Sequence, residues 1–128
     1  MTITLRPDNV VEMVPSEGWD DIQTLSHAKE NLAVVKELID GQPRSLLVIV
    51  PTTYTNRDAI EYYQSAEVGD VARAMILNSF AAKVAGNLYL KFTKNKTNEA
   101  GRIVPAKIFT KREEAITWLL EEMNKHTN

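Results

Sequence analysis

The chain has 128 residues, 44% of them apolar and 25% charged, with a formal net charge of −2 and no cysteine. That length accommodates one domain around one buried core. The near-neutral charge argues against a dedicated nucleic-acid binder, and the lack of cysteine excludes disulfides, thiolate nucleophiles and cysteine-based metal sites.

The chain opens with TITL, Thr2 to Leu5, where polar and apolar residues alternate as in a half-buried strand. Val10 to Val14 is rich in β-branched residues, and RPDN lies between the two. Proline presets φ and Asp and Asn bond their own backbone, so a β-hairpin is expected. Leu25, Ala28, Leu32, Val35, Leu38 and Ile39 then recur at helical spacing, with Thr24 as N-cap and Gly41 as the left-handed stop. SLLVIV, from Ser45 to Val50, is too short and too β-branched for a helix. Apolar residues at consecutive positions predict a central strand covered on both faces, and Pro51 ends it.

A helix from about Asn56 to Ala66 follows, then a buried strand over Ala72 to Leu77. NSFAAKVAGNLYLKF reads as a helix whose small residues permit close packing. The polar stretch from Lys91 to Arg102 carries Lys91, Lys94, Lys96 and Arg102, a charge cluster that a solvated surface explains. IVPAKIF carries an internal proline, which places that strand at a sheet edge or a bulge. Thr110 and Glu113 form a capping-box pattern ahead of a last helix with the stripe Ala115, Ile116, Leu119, Leu120 and Met123. The order ββαβαβαβα predicts an α/β fold, with a mainly parallel sheet of about five strands that starts with an antiparallel hairpin, in one domain over residues 1–128.

RAMILNSFAAKVAGNLYLKF, PAKIFTKREEAITWLLEEM and HAKENLAVVKELIDG together resemble the SpoIIAA-like fold of STAS domains. That group includes bacterial anti-sigma-factor antagonists, and small bacterial STAS-related proteins of unknown function look closer still. The resemblance implies a non-catalytic regulatory module that binds a protein partner and pairs with itself as a homodimer. It also implies a phosphoacceptor within Thr52 to Asn56, at Thr52, Thr53 or Thr55. The family's Asp-Ser pair and the glycine after it are not matched here, so capping of the helix by Thr55 is the expectation. Asn78 and Ser79 sit where a buried strand runs into a helix, the edge at which open α/β sheets bind ligands. Thr52, Thr53, Thr55, Asn78 and Ser79 therefore make the candidate anion or partner site, with capping by Ser79 as the plainer reading.

Tyr62, Tyr63, Phe80, Val84 and Leu88 make a second candidate, the lining of an apolar cleft between two helices. That candidate supports an alternative role in binding a lipid or another small apolar ligand. His27 and His126 are isolated and lack the spacing of a metal site. No phosphate-binding glycine loop and no nucleophile with a nearby base appears in the sequence, so neither a cofactor nor an enzymatic role is expected. Met1 to Asp20 is charged throughout and does not read as a signal peptide, and Leu46 to Pro51 is too short to cross a bilayer. A cytoplasmic protein without integral membrane association is the expectation.

Overall fold

Hairpin formation starts the sheet. The structure, a computed structural model, describes residues 1–15, 24–50, 56–77, 79–93 and 97–125. Strand β1 (Thr2–Leu5) pairs antiparallel with β2 (Val10–Val14), with Thr2 opposite Val14 and Leu5 opposite Val11. The turn between them works as RPDN predicts. Arg6 N–H donates to the Val10 carbonyl, Asp8 Oδ1 accepts from the Val10 amide, and Asn9 takes the left-handed conformation at φ 68°.

Helix α1 (Leu25–Ile39) leads to β3 (Ser45–Ile49), α2 (Arg57–Ser65) to β4 (Arg73–Ile76), and α3 (Phe80–Thr93) to β5 (Ala106–Phe109), before α4 (Arg112–Asn124) closes the chain. The five strands lie in sequence order, β1-β2-β3-β4-β5, and every pair after the hairpin is parallel. Each crossover therefore steps one strand in the same direction. Right-handed crossovers that step one way put their helices on one face. So α1, α2 and α3 cover one side and α4, which is no crossover, covers the other.

Alternation along β3 feeds both layers. Leu46 packs with Val11, Met13, Leu32, Val35 and Ile39 under α1. Its neighbour Leu47 packs with Val10, Ala74, Ile76, Ala115 and Leu119 under α4. Both leucines are fully buried, which explains the unbroken apolar run of this strand. A third cluster, with Ile60, Met75, Ala82 and Tyr89, seats α2 and α3. Each buried Leu or Ile contributes about 1.5–3 kcal/mol.

Helix ends follow local chemistry. Thr24 caps α1 as expected: its hydroxyl accepts from the His27 amide, and the His27 ring Nδ1 accepts from the Thr24 amide. Two ends differ from expectation. Asn56, not Thr55, is the N-cap of α2, and its side chain accepts from the Asp58 amide at 2.9 Å. Thr55 itself lies outside the described residues. The box of Thr110 and Glu113 does not form either, because α4 begins at Arg112 with Lys111 as an N-cap that makes no side-chain bond. The sheet holds on through Phe109, whose carbonyl accepts from the Leu77 amide, so Thr110 and Lys111 are spent on the turn. Glu113 and Glu114 in the first turn answer the helix dipole instead. β5 lies at the sheet edge, with Pro105 just ahead of its ladder residues, as the proline rule requires.

Replacing Asn56 by Ala removes the side-chain acceptor that starts α2. It should cost about 1 kcal/mol in urea unfolding, and an unchanged midpoint would show that the cap is not holding the helix.

Candidate functional site

Two polar or mixed features stand out on this frame, on opposite faces of the sheet. The first begins with an arginine on a central strand. Arg73 opens β4 facing the three-helix layer, where it and Asp70 are almost fully buried. A buried cation is tolerated only with partners for its donors, and this one has them. Nε and Nη2 donate to the two Asp70 oxygens at 2.9 and 3.3 Å. Nη1 donates to the Tyr63 carbonyl at 2.7 Å and to the Tyr89 hydroxyl at 2.9 Å. Burial disfavours the charge on Arg73, but Asp70 and Tyr89 outweigh it and the guanidinium pKa is raised. Burial likewise raises the pKa of Tyr89, and it pushes that of Tyr63 up to about 12 against the Asn31 hydrogen bond and the Arg73 charge.

The Tyr63 carbonyl belongs to the last turn of α2, where carbonyls lack intrahelical partners. The side chain of Arg73 satisfies it, while the Ala66 amide takes the Tyr62 carbonyl and the Glu99 amide takes that of Ser65. This cluster therefore ends a helix, holds a strand and grips α3 through Tyr89.

The network continues outward. Arg102 forms a two-pronged pair with Glu67 at 2.6 and 3.0 Å, and Asn98 Nδ2 donates to the same carboxylate at 2.7 Å. Gly69, at φ 88°, donates its amide to Glu67 Oε1 at 2.6 Å. The Arg102 hydrogen bond, with help from Asn98 and the Gly69 amide, overcomes partial burial and lowers the Glu67 pKa to about 2. Asn98 also accepts from the Ala100 and Arg102 amides, so it folds the loop that carries Arg102. These groups lie at the amino end of β4, away from the carboxyl edge where parallel sheets usually bind ligands. Their donors and acceptors are turned on one another, and the arrangement works as a clasp.

The second feature is an open groove of about 360 Å3 between β5 and α4. Lys107 and Phe109 form one wall, and Glu113, Glu114, Trp118 and Glu121 are among the residues of the other. Phe109 and Trp118 are half-buried with ring centroids 5.7 Å apart, and Lys107 Nζ lies 5.4 Å from the Phe109 centroid. A strand residue and a helix residue are brought together because the chain turns back on itself through Thr110 and Lys111. In the sequence Glu113, Glu114 and Glu121 read only as the solvated face of a helix, and neither the clasp nor the groove is marked as a group. An Asp and an Arg flanking an apolar strand, in VGDVARAMIL, were the available signal for the clasp; Phe109 and Trp118 sat on the expected strand and helix without a sign that they meet.

Of the residues the sequence singled out, Ser79 is placed as a cap: its hydroxyl accepts from the Ala82 amide at 3.0 Å, at the start of α3. Thr52, Thr53, Thr55 and Asn78 lie outside the described residues, as do Lys94, Lys96 and His126. Tyr63 packs against the clusters under α1 and α3, and its hydroxyl accepts from Asn31 at 3.2 Å. Tyr62 packs against the α1 cluster, with Lys29 over its ring at 6.0 Å. Val84 is half-buried, whereas Phe80 is 75% exposed; the Leu88 side chain lies outside the described residues. Among the described residues no group of His, Asp and Glu is arranged to hold a metal ion, and no helix is long and apolar enough to cross a membrane.

A family described as "Domain of unknown function (DUF7793)" matches residues 10–123, from the start of β2 to near the end of α4. No curated protein and no solved structure gives a match.

Two measurements check the clasp. Asp70→Asn leaves the Arg73 charge buried without a counter-charge and should cost about 3–5 kcal/mol in urea unfolding; replacing the pair together with Leu and Met should recover much of that loss. Equal loss in both variants would mean that the pairing itself is unimportant. The pH dependence has a definite sign. Glu67 binds its proton less readily when folded, so its contribution is present above 4.5, the unfolded value, and is lost as pH falls toward about 2. Arg102 is partly exposed, and solvent screening moderates the size of the effect. Glu67→Gln should flatten stability against pH across that window, and an unchanged slope would contradict the assignment.

Proposed function

The chain belongs to the DUF7793 family, and from that premise and the geometry above we propose that it is a non-catalytic, STAS-like interaction module that recognises a protein partner. The observation that carries this reading is the groove between β5 and α4. It is open, it sets an aromatic pair beside carboxylates, and it lies on a sheet edge. Aromatic side chains supply large contact area at small entropic cost and anchor many protein interfaces. Ile103, 59% exposed just ahead of β5, extends the apolar character along the same edge.

The clasp supports the same reading from the other side. A guanidinium stays protonated and serves poorly as a proton shuttle, both oxygens of Asp70 are engaged by it, and raised pKa values keep Tyr63 and Tyr89 neutral. The most perturbed groups among the described residues thus serve cohesion, a known alternative to catalytic use.

Site-directed photocrosslinking in the source cells tests the proposal without disturbing the core. A benzophenone side chain placed at Thr117, in the groove, should give a discrete adduct with another protein. The same probe at Val34, exposed on α1, should not. Identical patterns from the two positions, or no protein adduct at Thr117, would overturn the reading.

A further inference from the structure

We propose that the groove takes an extended protein segment of the pattern basic-x-apolar-x-basic, added to the sheet as a further strand beside β5. This rests on the interaction-module reading and names the class of partner.

Backbone direction comes first. The Arg73 amide donates to the Pro105 carbonyl at 2.8 Å, and the Leu77 amide donates to the Phe109 carbonyl at 3.2 Å. Polar groups alternate along a strand, so Pro105, Lys107 and Phe109 turn theirs toward β4 while Ala106 and Ile108 turn theirs away from the sheet. β5 pairs with β4 and with no other strand among the described residues. An edge of this kind is a template for strand addition, in which main-chain bonds give affinity and side-chain pockets give selectivity.

Side chains then set the pattern. Lys107 and Phe109 share the α4 face with their register partners Ala74 and Ile76. An added strand would send every second side chain into the same groove. Its middle residue would meet Phe109 and Trp118 and is therefore apolar. Glu113 and Glu114 stand toward one end of the groove and Glu121 toward the other, since α4 runs back along the sheet. Glu113 to Glu121 spans about 12 Å of helix. Two residues four positions apart in a strand span about 13 Å, so basic side chains flanking the apolar one reach both ends. Three carboxylates beside an aromatic pair supply the charge complementarity of this groove. None of Glu113, Glu114 and Glu121 forms an ion pair among the described residues, whereas Glu12, Glu61, Glu67 and Glu122 all do. Lys107 is the single cation among the described residues of the lining.

The test uses the full chain and a synthetic peptide, Thr-Lys-Thr-Val-Thr-Lys-Thr, followed by calorimetry at low and high salt. Binding is expected, weakening as salt rises. Exchanging both lysines for glutamates should abolish it, as should moving them next to each other. The exposed-residue variant E113Q/E114Q/E121Q, which leaves the core untouched, should weaken binding at least tenfold. N-methylation of one alternate set of peptide amides should abolish binding and of the other set leave it, because only one set faces β5. No binding, binding indifferent to lysine position or to the glutamine variant, or equal tolerance of both methylated sets would each overturn the proposal. So would a homodimer in sedimentation that buries β5, which would make a second copy the occupant. A Thr117 crosslink that persists while the peptide fails removes strand addition alone; loss of the crosslink removes the underlying reading.

Discussion

The buried pair of Arg73 and Asp70 is the interaction on which the remaining architecture leans. It sits where four pieces of chain meet: the end of α2, the entry to β4, the side of α3 and the loop before β5. Hydrophobic burial alone does not say how those pieces register, because it is roughly proportional to area and has no direction. A guanidinium whose nitrogens each have an assigned oxygen does fix direction. Arg73 reads the Tyr63 carbonyl and the Tyr89 hydroxyl at the same time, and α2 and α3 are thereby set against one strand residue. Arg102 lies 3.9 Å from Asp70 and extends the same logic to the loop ordered by Asn98.

On the proposed reading, that loop links cohesion to recognition. The chain passes from Asn98 and Arg102 through Ile103 and Pro105 directly into β5. The clasp thus anchors the near end of the edge strand, and the Phe109–Trp118 contact anchors its far end. A strand held at both ends keeps its outward amides in an extended, preorganised line, which lowers the ordering cost of binding. The Arg73–Asp70 pair stays inside, and the surface it supports is an edge.

Much of the fold was legible in the sequence because its signals are local. Period-two alternation marked Thr2 to Leu5, an unbroken apolar run marked the strand covered on both faces, and the proline ahead of Ala106 marked a sheet edge. Element order then forced the crossovers. The misses were about competition at element ends. Thr110 satisfies a capping pattern, yet the ladder through Phe109 delays the helix past it; Asn56 rather than its neighbour caps α2 because the turn starts one residue later. The site was less legible, because it is made by meetings that sequence spacing does not encode. Asp70 and Arg73 look like solvated charges beside a strand until the three-helix layer closes over them. Glu113, Glu114 and Glu121 look like an exposed helix face until a strand edge stands next to them.

Residue-resolved hydrogen exchange tests the central claim, that the clasp rigidifies an edge left open for a partner, most directly. In the free chain the Lys107 and Phe109 amides should be well protected and the Ala106 and Ile108 amides should exchange fast. Addition of the lysine-flanked peptide should protect Ala106 and Ile108 selectively. Slow exchange of Ala106 and Ile108 in the free monomer, or no change in them at saturating peptide, would contradict the account.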